Sequence, residues 1–385
     1  MNVLYITIDK SLTQDPKNSF QNSLDREIAI GKKMENYHII AMSQTCCAPY
    51  KVSTNTVIYP IAAKGMLSFI YKSLCVGKKI CKNKSIDLIS TQDPLLTGFV
   101  GLRLKKLFTI PLNIQYHGDF LNNPYWLKEH WLNHVFNRLG MYVIAKADSF
   151  LLGVTPNLQK KITNVFRVSK ERIFVLPYGL GIDRHHFNNR NGHLMRERFV
   201  QNPTDKIALY VGRLCKQKNL PLLLEAAREV LLESPETIFL IIGEGPEKKK
   251  LIKMAYQLKI NKHLFFIGNI PYRQIPDYYA ASDVVILPSL YEGCPRVLME
   301  AMAAKKPIVT TDRGFANIGP QINQHYFVIN KHDPRILAQA INHIFSENFS
   351  TRSPMYSLPE CEHEFDQKFA IQGYIDAWQA TLRAT

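Results

Sequence analysis

Short apolar runs recur along this chain, and stretches with helical spacing separate almost every one of them. Runs at Val3–Ile8, His38–Met42, Thr56–Tyr59, Leu88–Ser90, Leu112–Tyr116, Ser149–Val154 and Ile173–Leu176 occupy the first half. Ile207–Val211, Ile238–Ile242, Leu264–Ile267, Val284–Leu287, Pro307–Thr310 and His325–Val328 occupy the second. Parallel strands need long crossover connections, usually helical. Those helices cover both faces of the sheet, so the strands between them read as apolar throughout. The alternation therefore predicts α/β architecture with doubly wound parallel sheets, and its two series predict two domains. A length of 385 residues suits two cores. The turn-rich segment Asn188-Asn189-Arg190-Asn191-Gly192 marks the join, placing one domain at residues 1–185 and the other at 200–364. In such sheets ligands bind beyond the carboxyl ends of the strands, which directs attention to the loops there.

The most informative of these loops reads Ser289-Leu290-Tyr291-Glu292-Gly293-Cys294-Pro295-Arg296-Val297-Leu298-Met299-Glu300. Pro295 suits the first position of a helix, where its missing N–H costs nothing, and the apolar run from Val297 to Ala304 supplies the turns. Glu292 then sits in the loop and Glu300 about a turn and a half inside the helix. Helical side chains lean toward the N-terminus, so both carboxylates can face the helix end. That end attracts phosphate, with backbone amides around Cys294, Arg296 and Val297 able to meet it, while carboxylates accept from sugar hydroxyls. A nucleotide sugar answers both demands. Arg213 and Lys218 follow the Ile207–Val211 strand and offer phosphate a planar fork and a point charge. The structural alternatives are surface cations and acids near a helix end.

This region resembles the Glu-x7-Glu signature of retaining glycosyltransferases of family 4, the group 1 type with the GT-B fold. The resemblance extends over roughly residues 205–345. Tyr210-Val211-Gly212-Arg213-Leu214, Lys218-Asn219-Leu220, Gly243-Glu244-Gly245-Pro246, Ile267-Gly268-Asn269-Ile270 and Lys306-Pro307-Ile308 fall in the family's order and spacing. The stretch from Asp87 through Gln92-Asp93-Pro94 to His117-Gly118-Asp119 is similar to bacterial lipopolysaccharide and capsule polysaccharide members. The resemblance implies two Rossmann-like domains facing across a cleft, with a C-terminal helix, about 365–385, crossing back to the first domain. It implies that Arg213 and Lys218 hold the donor diphosphate and stabilise its charge as it leaves. It also implies that Glu300 binds the ribose and Glu292 the transferred sugar. Backbone around Gly268 and Ile270 would meet the base, and His117 would lie near the transferred sugar. Asp119 would bind the acceptor hydroxyl or cap the following turn. One departure stands out. Many relatives carry Gly-Gly in the first loop, whereas Asp9–Phe20 contains no glycine, so that either Asn18, Ser19 or Arg26 substitutes for backbone at the donor or the loop serves the acceptor.

Composition narrows the partners. Residues 1–200 hold 27 Lys+Arg against 13 Asp+Glu, and residues 201–385 hold 21 against 19. Seven lysines and no acid lie between Lys51 and Ser85, around the helical stretch Met66–Val76. A basic amphipathic helix rests on anionic membrane, although a solvated helix packed on a sheet explains the lysines equally. No helix-turn-helix, zinc-finger or RNP pattern accompanies the basic surplus, so nucleic acid is not expected. The seven cysteines form no Cys-x-x-Cys pair, which fits reduced thiols in the cytoplasm. No apolar run approaches the ~20 residues of a membrane span, so any association with the cytoplasmic face of an inner membrane would be peripheral.

No Asp-x-Asp occurs, and a diphosphate-bound cation normally wants clustered oxygens. The expectation is therefore metal-independent hexosyl transfer without cofactor, from a UDP- or GDP-sugar co-substrate to a glycan or lipid-linked acceptor. Two rivals stand beside it. One is a nucleotide-sugar epimerase or a phosphorylase of the same architecture; the other is a non-catalytic membrane- or polyanion-binding protein reusing the fold.

Overall fold

The structure is a computed structural model and describes residues 1–13, 21–45, 47–152, 156–176, 186–187, 190–202, 204–293, 295–312, 326–346 and 367–384. The chain divides into two units, Met1–Gly181 with Asp366–Thr385, and Ile182–Phe365.

The first unit contains β1 (Asn2–Thr7), β2 (Asn36–Ser43), β3 (Tyr50–Lys51), β4 (Thr56–Ala62), β5 (Leu88–Thr91), β6 (Leu112–Tyr116), β7 (Ser149–Leu152) and β8 (Ile173–Val175). They form one sheet in the order β3-β4-β2-β1-β5-β6-β7-β8. Every neighbouring pair is parallel except β3 with β4. The two-residue β3 has no counterpart among the predicted strands, because a strand that short leaves no periodicity to read. Its crossovers include α1 (Gln21–Gly31), α2 (Met66–Asn83), α3 (Leu96–Phe108), α4 (Pro124–Glu129), α5 (Leu132–Lys146) and α6 (Pro156–Asn164).

The C-terminal helix, Gln367–Ala384, packs on this first unit, as the resemblance implies. Its Tyr374, Ile375 and Trp378 enter a cluster with Val3, Tyr5, Tyr37, Ile39 and Leu88. Each such burial contributes roughly 1.5–3 kcal/mol. Phe369 shares the same sequence periodicity but is 49% exposed, and the buried face begins instead at Ala370 and Ile371.

The second unit contains β9 (Ile207–Val211), β10 (Ile238–Ile242), β11 (Leu264–Gly268), β12 (Val284–Leu287), β13 (Ile308–Thr311) and β14 (Tyr326–Ile329). These are all parallel, in the order β11-β10-β9-β12-β13-β14. Helices α7 (His193–Arg196), α8 (Leu220–Glu233), α9 (Lys248–Gln257), α10 (Ile275–Ala281), α11 (Arg296–Ala303) and α12 (Pro334–Ser346) accompany them. The core joins Leu220, Leu223, Leu224 and Ala227 of α8 to Leu337 and Ile341 of α12 over the inner strands. Helix α11 begins one residue later than a proline at its first position would have it. Pro295 is the N-cap, in extended conformation with ψ 111°. No described helix is long and apolar enough to cross a membrane.

Candidate active site

In the second unit the strand order reverses between β9 and β12, with β10 on one side of β9 and β12 on the other. The loops leaving these two strands carry Arg213, Lys218, Glu292 and, at the helix that follows, Glu300.

The first loop is held by backbone. Gly212 donates to Ile242 O at 3.0 Å, Leu214 to Glu244 O at 2.9 Å, and Gly243 to Gly268 O at 2.9 Å. A Cβ on Gly243 would stand 2.0 Å from the Gly212 carbonyl oxygen, and its φ of +133° is one that L side chains rarely adopt. Glycine is therefore a packing requirement where three strand-end loops meet. Gly268 has φ +83°, and a Cβ there would stand 3.0 Å from the Glu244 carboxylate. Beneath the rim, the buried Tyr210 hydroxyl donates to Arg213 O at 2.9 Å. The Arg213 guanidinium itself is exposed, and among the described residues its side chain makes a 3.4 Å hydrogen bond to Gln217 Oε1.

Lys218 is different. It is 9% exposed and pairs with Glu292, itself 8% exposed. The residue expected at phosphate and the residue expected at sugar thus neutralise each other across the strand-order reversal. Gln217 fastens the two loops: its carbonyl accepts from Leu290 N at 2.8 Å and its side-chain amide donates to Tyr291 O at 2.9 Å.

Glu300 lies on the buried side of α11, 5% exposed. Tyr279 donates to its Oε2 at 2.9 Å, and Arg296 Nε stands 3.8 Å from Oε1. Burial pushes the Glu300 carboxyl above the usual range, while Arg296 and the hydroxyls of Tyr279 and Tyr272 pull it back. The Arg296 guanidinium also donates to Tyr272 OH at 3.2 Å and covers that ring, 5.5 Å from its centroid. Val297 O accepts from Tyr279 at 3.4 Å. Pro295 offers no capping side chain to the helix end. Cys294 lies outside the described residues.

His117 and Asp119 belong to the first unit, beyond the carboxyl end of β6. His117 Nε2 lies 3.1 Å from Gln115 Oε1, and its Nδ1 is buried without a hydrogen-bond partner among the described residues. Burial, with Arg26 adding to it, pushes this imidazole down to about 4, so it is neutral near pH 7. Asp119 is ion-paired with Lys161 at 2.5 Å, and its carbonyl accepts from Asn123 at 2.9 Å. The side chain that caps the following helix is Asn123, which accepts from Tyr125 and Trp126. Asp119 also braces the following turn, its Oδ2 accepting from Asn123 Nδ2 at 3.5 Å.

In the glycine-free first loop, Asn18 and Ser19 lie outside the described residues. Arg26 donates to the buried Glu27 at 2.7 Å, and Glu27 in turn accepts from Tyr37 at 2.6 Å. Its charge is therefore balanced locally.

Sequence reasoning missed Tyr279, Tyr272, Gln217 and Gln115, all of which orient a predicted residue or its loop. The tyrosines read as core on helical spacing, and neither glutamine has a signature. The one hint in the sequence is Gln115 standing two residues before His117 on the same face of a strand.

Two family models match the chain, glycosyltransferase family 4 over residues 36–184 and glycosyl transferases group 1 over residues 194–357. The chain is 28% identical over 256 residues to a Bacillus subtilis (strain 168) protein that carries the name of a teichuronic acid biosynthesis glycosyltransferase, TuaC; the match covers 66% of this chain and 60% of that one. An Escherichia coli UDP-Gal:alpha-D-GlcNAc-diphosphoundecaprenol alpha-1,3-galactosyltransferase is 27% identical, over 63% of this chain and 62% of that one. The chain thus spans about three fifths of the length of these relatives. The crystal structure of Anabaena HepE in complex with UDP-glucose shares the fold, with a TM-score of 0.74 at 18% identity, covering 98% of this chain and 99% of that one.

Proposed function

Because the chain belongs to the group 1, family 4 glycosyltransferases, we propose that it is a retaining, metal-independent transferase taking a hexosyl unit from a UDP- or GDP-sugar. The observation that carries this reading is the set of charges around the β9–β12 reversal. Exposed Arg213 and buried Lys218 supply the cations for a diphosphate, and Glu292 and Glu300 supply acceptors for hydroxyls on either side of it. Preorganised cations of this kind act where charge develops on the leaving group, each contributing about 3 kcal/mol. In the proposed step an acceptor oxygen bonds to the anomeric carbon on the face the diphosphate leaves. The carbon–oxygen bond to phosphate breaks, and the departing phosphate takes the acceptor's proton. Such a step needs no protein general base, which fits a reading that assigns both glutamates to donor hydroxyls. A glycosidase pair would instead flank the scissile bond.

For the acceptor we propose a lipid-linked or surface-polysaccharide glycan reached at an anionic membrane. The support is α2, whose Leu67 is 83%, Tyr71 70% and Met66 45% exposed, beside Lys72, Lys78, Lys79 and Lys82. Apolar side chains held in water beside lysines suit an interface of acyl chain and anionic headgroup.

The test is turnover of a UDP-, GDP- and ADP-sugar panel in EDTA, with the anomeric configuration of the product read by NMR. Retained configuration in EDTA is expected. Inversion, metal dependence, or nucleotide release unchanged by any acceptor would sink the proposal, the last in favour of an epimerase.

A further inference from the structure

A line of buried polar side chains crosses the first unit from the C-terminal helix to His117, and each link fixes the direction of the next. Thr381 Oγ1 lies 2.7 Å from Ala377 O, and a carbonyl only accepts, so the threonine hydroxyl proton points there. Ser149, 2.6 Å from Thr381 Oγ1, must then donate to it. With its proton so used, Ser149 accepts from the Asn113 side-chain amide at 2.7 Å. That orients Asn113 Oδ1 toward Ser90, which donates at 3.4 Å. Ser90 in turn accepts from Gln115 Nε2 at 3.3 Å. Gln115 Oε1 is left as an acceptor, 3.5 Å from the Tyr5 hydroxyl and 3.1 Å from His117 Nε2. Ser90 and Asn113 are fully buried, and Gln115, Ser149 and Thr381 are each 2% exposed. Water has no ready access by which to reverse the order.

We propose that Gln115 is a positioning residue that holds His117 as the Nε2–H tautomer, keeping the Nδ1 lone pair to accept a hydrogen bond from a sugar hydroxyl. The inference rests on the reading in which His117 lies near the transferred sugar, and it adds the direction of that contact. His117 receives a hydroxyl proton rather than donating one to a ring oxygen or phosphate. The orphaned buried Nδ1 is the second observation: a nitrogen that no described protein group satisfies is a place for a ligand donor. The chain of hydrogen bonds also accounts for two amides, Asn113 and Gln115, buried in one inner strand, and it ties the C-terminal helix to the site through Thr381.

The experiment is a long-range proton–nitrogen NMR correlation on the full-length, unliganded protein labelled with nitrogen-15 at its 12 histidines. His117 is assigned by its absence in His117→Phe. A protonated Nε2 with bare Nδ1 is expected. Gln115→Met, which keeps the length and loses the amide, should release the second tautomer and lower kcat about tenfold, with the donor KM little changed. Gln115→Glu, which keeps an acceptor facing Nε2, should retain the tautomer; a merely packing role would move neither. Nδ1–H in the wild type, or an unaltered single tautomer in Gln115→Met, would overturn the assignment. The wild-type spectrum decides the tautomer whether or not the variants fold. It is also independent of nucleotide-sugar binding, whose failure would appear in calorimetry of the second unit's variants.

Discussion

Glu292→Gln should unfold more easily than the wild type and yet hold UDP more tightly. Lys218 is 9% and Glu292 8% exposed, so neither charge is relieved by solvent. Removing one partner of such a pair leaves the other buried and uncompensated, which costs about 3–5 kcal/mol. Lys218→Met should lose a similar amount. Removing both charges leaves nothing uncompensated, so the double variant should lie within about 2 kcal/mol of the wild type, giving a coupling energy of several kcal/mol in the double-mutant cycle. All three tryptophans (126, 131 and 378) are in the first unit. Unfolding is therefore best followed by circular dichroism and by hydrogen exchange in β9 and β12 rather than by fluorescence. UDP adds the discriminating arm. In the wild type a diphosphate competes with Glu292 for the Lys218 ammonium, whereas in Glu292→Gln it supplies the missing anion. UDP should thus stabilise the variant more than the wild type, by at least about 1.4 kcal/mol or tenfold in Kd, while sugar transfer falls. Equal stabilisation of both proteins by UDP, or additive single losses with coupling under about 0.5 kcal/mol, would refute the reasoning.

Arg213→Ala should leave stability within about 0.5 kcal/mol, as exposed sites do, and weaken UDP by about 1.5–3 kcal/mol, read by calorimetry. For Glu300, burial raises the folded carboxyl above its ordinary value of 4.5. Its contribution to folding stability is therefore complete below 4.5 and lost as pH rises through the raised value, whereas hydroxyl-accepting affinity for the nucleotide grows over the same window. Glu300→Gln should flatten both slopes in pH-dependent unfolding and nucleotide titrations. Leu67→Glu with Tyr71→Glu should reduce sedimentation with phosphatidylglycerol vesicles by tenfold or more. Seating an apolar side chain out of water contributes roughly 1.5–3 kcal/mol, and the new acids repel anionic headgroups. Turnover of a soluble acceptor should not change, and undiminished sedimentation would remove α2 from the membrane reading.

The fold was legible because strand burial on both faces writes itself into continuous apolar runs. Every expected strand of the second unit has its counterpart within a residue or two at the ends, from Ile207–Val211 to Tyr326–Ile329. The site was legible only in part. Arg213 and Lys218 look alike in sequence, each a cation after a strand, yet one is exposed and the other buried against Glu292. Nothing local in the sequence encodes that difference, since it depends on a residue 74 positions away. The same holds for Tyr279 on Glu300 and Gln115 on His117. Their spacing is that of core residues, and only the placement of their polar atoms against Glu300 and His117 distinguishes them.

The two units therefore solve the problem of holding polar groups before a ligand arrives in different ways. In the second, opposite charges neutralise each other, so Lys218 and Glu292 stay folded without substrate but must be prised apart or shared when a diphosphate enters. In the first, burial keeps His117 neutral and a one-way hydrogen-bond chain fixes which nitrogen is bare. The consequences for ligands differ accordingly. A site of paired charges favours an anion that can replace one partner, and its affinity falls with salt. A neutral acceptor with no competing partner favours a hydroxyl, and its affinity is indifferent to salt. Measured separately, binding of UDP should weaken as ionic strength rises, and binding of the free hexose should not. A hexose affinity that fell as steeply with salt as that of UDP would mean that the sugar, too, is held by the charged loops of the second unit, and His117 would lose its place in sugar recognition.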